Sequence, residues 1–337
     1  MLQRGLFAAD VCYYYGDHVP NFTQIKSSDP AHVLPGYDYD VITEEAILER
    51  TTVRNGLVVL PDGMSYRVLV LRDHRAISLP VLRQVKELVA AGATVIGPKP
   101  AEATGLSGFP QSDAEVAKLA EELWGNCDGQ AVKEHACGQG RVVWGKTARE
   151  VLLADGVRPD FEVSGAQSDA AMNYLHRTAD GAEIYFVANR SNRWEDVRCT
   201  FRVAGKAPEI WDAVSGGRRF AAAYEEKDAR TTVPLEFGPC GSTFIVFREP
   251  AAQHPATARS NSPKSEPRAE LSGAWTVKFN PQWGGPASAQ FEQLVSWPTR
   301  SEPGIKYFSG TATYEKAFDL PQGLGIANRQ SPIFLDL

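Results

Sequence analysis

Tyr66-Arg67-Val68-Leu69-Val70-Leu71, the segment from Ser78 to Gly92, and Thr94-Val95-Ile96 together decide the fold of this 337-residue chain. The first run is apolar enough to lie inside a sheet. Ser78 is placed to cap a helix in which Leu82, Val85, Leu88 and Val89 share one face, and Gly92 supplies a left-handed stop. Thr94-Val95-Ile96 then reads as a short buried strand closed by Gly97-Pro98. Strand, helix and strand in this order imply a crossover and parallel pairing.

Working outward, Ala8 to Tyr15 is an aromatic and β-branched strand ending at Gly16. On the other side, Ser112 and Glu115 form a capping box ahead of Val116, Leu119, Ala120 and Leu123, with Gly125 ending that helix. Asn55-Gly56, between Thr51-Thr52-Val53 and Leu57-Val58-Val59-Leu60, predicts a two-residue hairpin inserted on the sheet. Pro61-Asp62-Gly63 turns the chain again. Residues 1–160 are therefore expected to form a flavodoxin- or amidotransferase-like α/β domain.

After a short helix opened by Thr147 and Glu150, the period changes to two. Ile184 to Val187, then Val197, Cys199, Phe201 and Val203, then Phe244 to Phe247 predict a β-sandwich over 161–249. Residues 250–268 are rich in Pro, Ala, Ser and charge without apolar periodicity and read as a flexible linker. Trp275, Val277 and Phe279 then alternate in a second β-domain over 269–337. That domain closes on Ile333-Phe334-Leu335-Asp336-Leu337, a strand-like run with no chain left to pair it, so the chain is expected to be cut there.

A net charge of −6 leaves no basic field for a nucleic-acid backbone. No apolar run is long enough to span a bilayer, and no apolar core follows Met1-Leu2-Gln3-Arg4-Gly5 to make a signal peptide. Five scattered cysteines do not form a disulfide framework. Cys127, His135 and Cys137 lack the paired spacing of zinc modules and read as loop residues, so no metal site is assigned. Gly138-Gln139-Gly140 is too short for a dinucleotide fingerprint and reads as a tight turn. Gly16-Asp17-His18-Val19-Pro20 sets an acid where a flavin or nucleotide phosphate would bind.

The densest polar and aromatic cluster is Gly36-Tyr37-Asp38-Tyr39-Asp40, preceded by Asp17-His18. Asp38 and Asp40 fall on the same side of an extended segment. Paired carboxylates beside aromatic platforms suit sugar hydrolysis, where one acid protonates the leaving oxygen and another activates water or attacks. Tyr37, Asp38 and Asp40 are thus candidate substrate-binding residues at the rim of a sugar site. In the competing structural reading, Asp40 and Thr43 open the helix Glu44-Glu45-Ala46-Ile47-Leu48. Trp211, Trp275 and Trp297 read as core residues, and Trp283, in a Gly-Gly-Pro turn, as the candidate sugar-stacking platform.

Several stretches in this order resemble glycoside hydrolase family 106, the α-L-rhamnosidases. They are Leu6 to Gly16, Leu34-Pro35-Gly36-Tyr37-Asp38-Tyr39-Asp40, Leu60 to Leu69, Tyr185-Phe186-Val187-Ala188-Asn189-Arg190-Ser191 and Pro208-Glu209-Ile210-Trp211-Asp212-Ala213. Leu271-Ser272-Gly273-Ala274-Trp275 with Gly304 to Tyr314 is similar to the sugar-binding, galactose-binding-like jelly roll of family 2 glycosidases, here partial. The resemblance implies an enzyme that removes terminal α-L-rhamnose from oligo- or polysaccharides with inversion. Its acid and base would lie on a (β/α)8 barrel upstream of this chain, so no catalytic residue is assigned here and this chain alone is expected to be inactive. The resemblance also admits calcium in the complete enzyme, though no cofactor in this part. Export to the periplasm or outside the cell would suit such an enzyme. A β-galactosidase-like hydrolase and a non-catalytic carbohydrate-binding or scaffold module are the alternatives.

Overall fold

The computed structural model describes residues 1–17, 25–165, 167–262 and 270–319. Contacts divide the chain into two units, 1–262 and 263–337.

The first unit opens with a parallel sheet. In chain order its parallel strands are Val11–Tyr14, Tyr39–Ile42, Val68–Leu71, Thr94–Ile96 and Gly140–Val143, arranged across the sheet as 2-1-3-4-5. Glu134–Cys137 adds an antiparallel edge. Strand alternation sorts side chains between two cores. Cys12, Tyr14, Leu69, Leu71, Val95 and Val142 enter one core with the helices Glu44–Arg50, Leu79–Ala90 and Gln111–Trp124. Val11, Tyr13, Val68, Val70, Ile96 and Val143 enter the other with the helix Ala148–Ala154 and the segment around Val33 and Tyr37. Both faces are covered, and the central strands Val11–Tyr14 and Val68–Leu71 are apolar and buried along their whole length. In the helix Leu79–Ala90, Val81, Leu82, Val85, Leu88 and Val89 are all buried, at about 1.5–3 kcal/mol for each large side chain taken from water.

The Asn55-Gly56 hairpin forms as expected: both residues have positive φ, 52° and 77°, and join Thr52–Arg54 to Leu57–Val59. Thr147 and Glu150 make a reciprocal capping box. Ser112 and Glu115 do not. The helix Gln111–Trp124 starts after Pro110, Ser112 lies inside it with a buried hydroxyl that has no partner among the described residues, and Glu115 instead pairs with Arg83. The backbone N–H of Ser112 already donates to the Gly108 carbonyl, so the turn is closed one step before the expected cap.

A β-sandwich follows. Its six-stranded sheet contains Met172–Ala179, Ala182–Asn189, Ser242–Pro250, Lys206–Asp212 and Arg218–Phe220. Its four-stranded sheet contains Phe161–Ser164, Glu195–Phe201, Arg230–Phe237 and Glu225–Lys227. Tyr185, Val187, Val197, Cys199, Phe201, Ile245 and Phe247 fill the core between them. The expected Ala8–Tyr15 strand is shorter than its sequence suggested, since only Val11–Tyr14 joins the parallel sheet; ahead of it, Leu6–Phe7 is the sixth member of the first sandwich sheet, paired with Thr178 and Arg177. The Ala8 N–H donates to the His176 carbonyl across this junction.

The expected linker differs in its first part. Residues 250–262 lie along the sandwich, where Asn261 is buried, donates to the Ala223 and Pro234 carbonyls, and accepts from the Ala223 N–H. One buried polar side chain with all of these bonds anchors a segment whose composition alone reads as disordered. Residues 263–269 and the expected terminal strand 333–337 lie outside the described residues.

The second unit has a three-stranded antiparallel sheet with Trp275–Lys278 between Ala289–Phe291 and Thr313–Glu315. Trp275, Val277, Phe279, Phe291 and Ile305 form its core.

Candidate functional site

The loop before Tyr39–Ile42 is fixed at Gly36, whose φ of 89° and close approach to Pro159 and the Phe161 carbonyl leave no room for a side chain. The Gly36 carbonyl accepts from the N–H groups of Asp160 and Phe161. Tyr37 is fully buried and donates to the Val157 carbonyl at 2.7 Å. Asp38 is 2% exposed, paired with Lys26, and accepts from the Tyr39 N–H. Burial raises its pKa, and the Lys26 ammonium opposes that rise. Asp40 lies on the strand rather than in the following helix, which Thr43 caps, and it accepts from the Tyr66 hydroxyl at 2.8 Å. The two carboxylates therefore have different side-chain partners, and each also accepts from the backbone N–H of the residue after it, Tyr39 or Val41. His18 lies outside the described residues.

Asp38 belongs to a larger buried network at the amino ends of the parallel strands. Arg202, from the sandwich, donates to both carboxylate oxygens of Asp10 at 2.9 Å, and Arg67 adds a bond to the same acid at 3.1 Å. Asp160 accepts from the Tyr185 hydroxyl at 2.8 Å and pairs with His176 Nδ1 at 3.0 Å, while His176 Nε2 meets Glu183 at 3.0 Å. The His176 ring stacks on Tyr185 with centroids 3.9 Å apart. Burial works against a charged imidazole, yet Asp160 and Glu183 outweigh it and lift the His176 pKa to about 9. Burial likewise opposes ionisation of Asp160, and His176 and Arg202 reverse it, leaving its pKa lowered. The result is a charged clamp between sheet and sandwich. Asp10, Asp160 and His176 were not singled out in the sequence, because buried charge leaves no periodic signal in a single chain.

At the opposite, carboxyl ends of the strands lies a cleft bordered by Tyr14, Asp17, Leu71, Arg72, His74 and Thr104. Its volume is about 50 Å³; a single water needs roughly 10–15 Å³ of such space, so it admits a few heavy atoms or one edge of a ring. The Tyr14 hydroxyl is buried and has no hydrogen-bond partner among the described residues.

In the second unit, Trp283 ends the short helical turn Pro281–Trp283 and is 62% exposed. Its ring lies so close to Gly310 that a Cβ there would sit 2.6 Å from the indole. Trp211, expected in the core, is only partly buried, with the Arg218 and Arg248 guanidinium groups over its ring at 5.0 and 5.6 Å. Among the described residues no group of three or more His, Cys, Asp or Glu side chains is arranged to hold a metal. No helix among the described residues is long and apolar enough to cross a membrane.

Comparison with known proteins gives this architecture its class, that of the glycoside hydrolases. The family model for glycoside hydrolase 106, alpha-L-rhamnosidase, matches residues 1–226. The chain belongs to that family. It is 32% identical over 281 residues to a putative beta-glucuronidase of Formosa agariphila, covering 80% of this chain and 22% of that protein. It superposes on the structure of a rhamnosidase from Novosphingobium sp. PP1Y with a TM-score of 0.79 and 30% identity, over 94% of this chain and 29% of that one. The chain thus spans less than a third of the length of either relative.

Proposed function

We propose that this chain is an accessory part of an inverting glycoside hydrolase that releases terminal α-L-rhamnose from oligo- or polysaccharides, with the catalytic acid and base supplied by an upstream part of a longer polypeptide. The observation that carries this reading is the occupation of the acids. Asp10, Asp38 and Asp160 are buried against cations, and Asp40 holds Tyr66. An inverting site needs two carboxyls roughly 6.5–9.5 Å apart with a water between them. None of these four is available for that task.

In this reading the strand order 2-1-3-4-5 is that of a flavodoxin-like domain, serving as a brace, and the second unit is part of a jelly roll. Tyr37, Asp38 and Asp40 then support a rim without touching sugar, and Trp283 remains a surface ring available for stacking. Any calcium requirement would belong to the complete enzyme. A second reading keeps the hydrolase and changes the sugar, since one relative is named a putative beta-glucuronidase; a β-galactoside is a further candidate. The test is the substrate preference of the full-length enzyme on aryl α-L-rhamnoside, β-D-glucuronide and β-D-galactoside. Turnover of the rhamnoside at least tenfold above the others is expected, and the reverse preference would overturn the rhamnose assignment.

A further inference from the structure

We propose that the outer face of the six-stranded sandwich sheet is an interdomain docking surface, and that its occupant is an acid-rimmed face of the upstream part of the longer polypeptide. The inference rests on the reading above that such a part exists. In Ala182–Asn189 and Ser242–Pro250, the side chains of Tyr185, Val187, Ile245 and Phe247 fill the sandwich core. An antiparallel sheet with its other face in water carries polar side chains at the alternate positions. Here those positions hold Ile184, Phe186, Phe244 and Val246, and Trp211 joins them from Lys206–Asp212.

Register sets these side chains in rows. Leu175, Phe186, Phe244, Trp211 and Arg218 lie opposite one another on successive strands, and residues paired across neighbouring strands share a face. The Phe186 and Phe244 ring centroids are 4.9 Å apart. Leu175, Phe186, Phe244 and Trp211 are half-buried, and Arg218 is exposed. Aromatic rings and arginine around an apolar centre have the composition of a protein-binding hot spot.

Charge narrows the occupant. Glu209, the acid beside Trp211, is buried and already paired with Arg248. Arg177, on the next row, donates to the Arg4 and Gly5 carbonyls, and Arg218 lies over the Trp211 ring. Neither arginine has a carboxylate partner among the described residues. Two such faces pressed together would set arginine against arginine, which disfavours a second copy of this chain, whereas carboxylates on a different protein surface complement them. A sugar is a poorer fit, because the Arg218 and Arg248 guanidinium groups stand over the indole where its C–H face would stack. Continuity selects the upstream part. Phe7 pairs with Arg177 and so shares this face, on the edge strand by which the chain enters the sheet. The matched rhamnosidase extends far beyond the superposed region, which is 29% of its length.

The test is hydroxyl-radical footprinting, read by mass spectrometry, of the full-length enzyme and of the 337-residue chain at matched radical dose. The centre of a packed interface excludes water, so oxidation of Phe186, Trp211 and Phe244 is expected to be about fivefold slower in the full-length enzyme. Arg218→Glu, at an exposed position, is expected to leave thermal unfolding of this chain unchanged and to restore much of the oxidation in the full-length enzyme. Equal oxidation in the two proteins, protection in this chain alone that grows with its concentration, or an Arg218→Glu enzyme as protected as the unmodified one would overturn the proposal. The substrate assay is independent of it. Rhamnoside turnover without protection would remove the interface and leave the function; protection in an enzyme that prefers another glycoside would keep the interface and remove the rhamnose assignment.

Discussion

His176 sits between Asp160 and Glu183, both 3.0 Å away, and this sandwich of charge has a consequence for pH. Its pKa rises from 6.5 to about 9 on folding. A group raised in this way contributes stability that is fully present below its unfolded value and is lost as pH climbs through the folded one. Denaturant unfolding is therefore expected to show a loss of a few kcal/mol between pH 6.5 and about 9, abolished in His176→Asn. A flat profile in this window for the unmodified chain would contradict the charged pair. Nothing in Met172-Asn173-Tyr174-Leu175-His176 announces this role. A histidine on a mixed strand reads the same whether it meets water or two acids, so the clamp became visible only through burial. By contrast, the polar loop Gly36–Asp40 was conspicuous in the sequence, yet its acids proved to be occupied with backbone and neighbouring side chains.

At the scale of elements, local chemistry was legible where one residue type decides the geometry. Asn55-Gly56 fixed a hairpin, Thr147 with Glu150 a capping box, and the spacing of Leu82, Val85 and Val89 a buried helical face. It failed where long-range pairing decides. Leu6–Phe7 is not read as a strand, because its partner, Met172–Ala179, lies more than 160 residues away. Ser112 missed its cap because the turn closed earlier on Gly108. The Gly138-Gln139-Gly140 turn illustrates both sides. Its role as a tight turn could be read directly, while the hairpin it closes and the close approach behind it could not. A Cβ on Gly140 would lie 2.3 Å from the Ala93 carbonyl and 2.5 Å from that of Val89. Gly140→Ala must therefore push apart the edge of the sheet and the end of the helix Leu79–Ala90, at a cost of about 1–3 kcal/mol. Chemical denaturation of the variant measures it, and a change under about 0.5 kcal/mol would show that this contact yields freely.

At the scale of the molecule, a wound parallel sheet and a sandwich are locked together by Asp10, Arg67, Arg202 and Asp160, and residues 263–337 make a second unit. Membership in the α-L-rhamnosidase family is established over residues 1–226, while the chain covers 29% of the rhamnosidase structure it matches. Asp10, Asp38, Asp40 and Asp160 are engaged in holding this framework together, and in the proposed function bond cleavage belongs to residues elsewhere in a longer protein. The most direct measurement is turnover of an aryl α-L-rhamnoside by the folded 337-residue chain, beside the full-length enzyme under the same conditions. Turnover by the full-length enzyme with none above a buffer blank for this chain is the predicted result; sustained rhamnose release by this chain alone would contradict it.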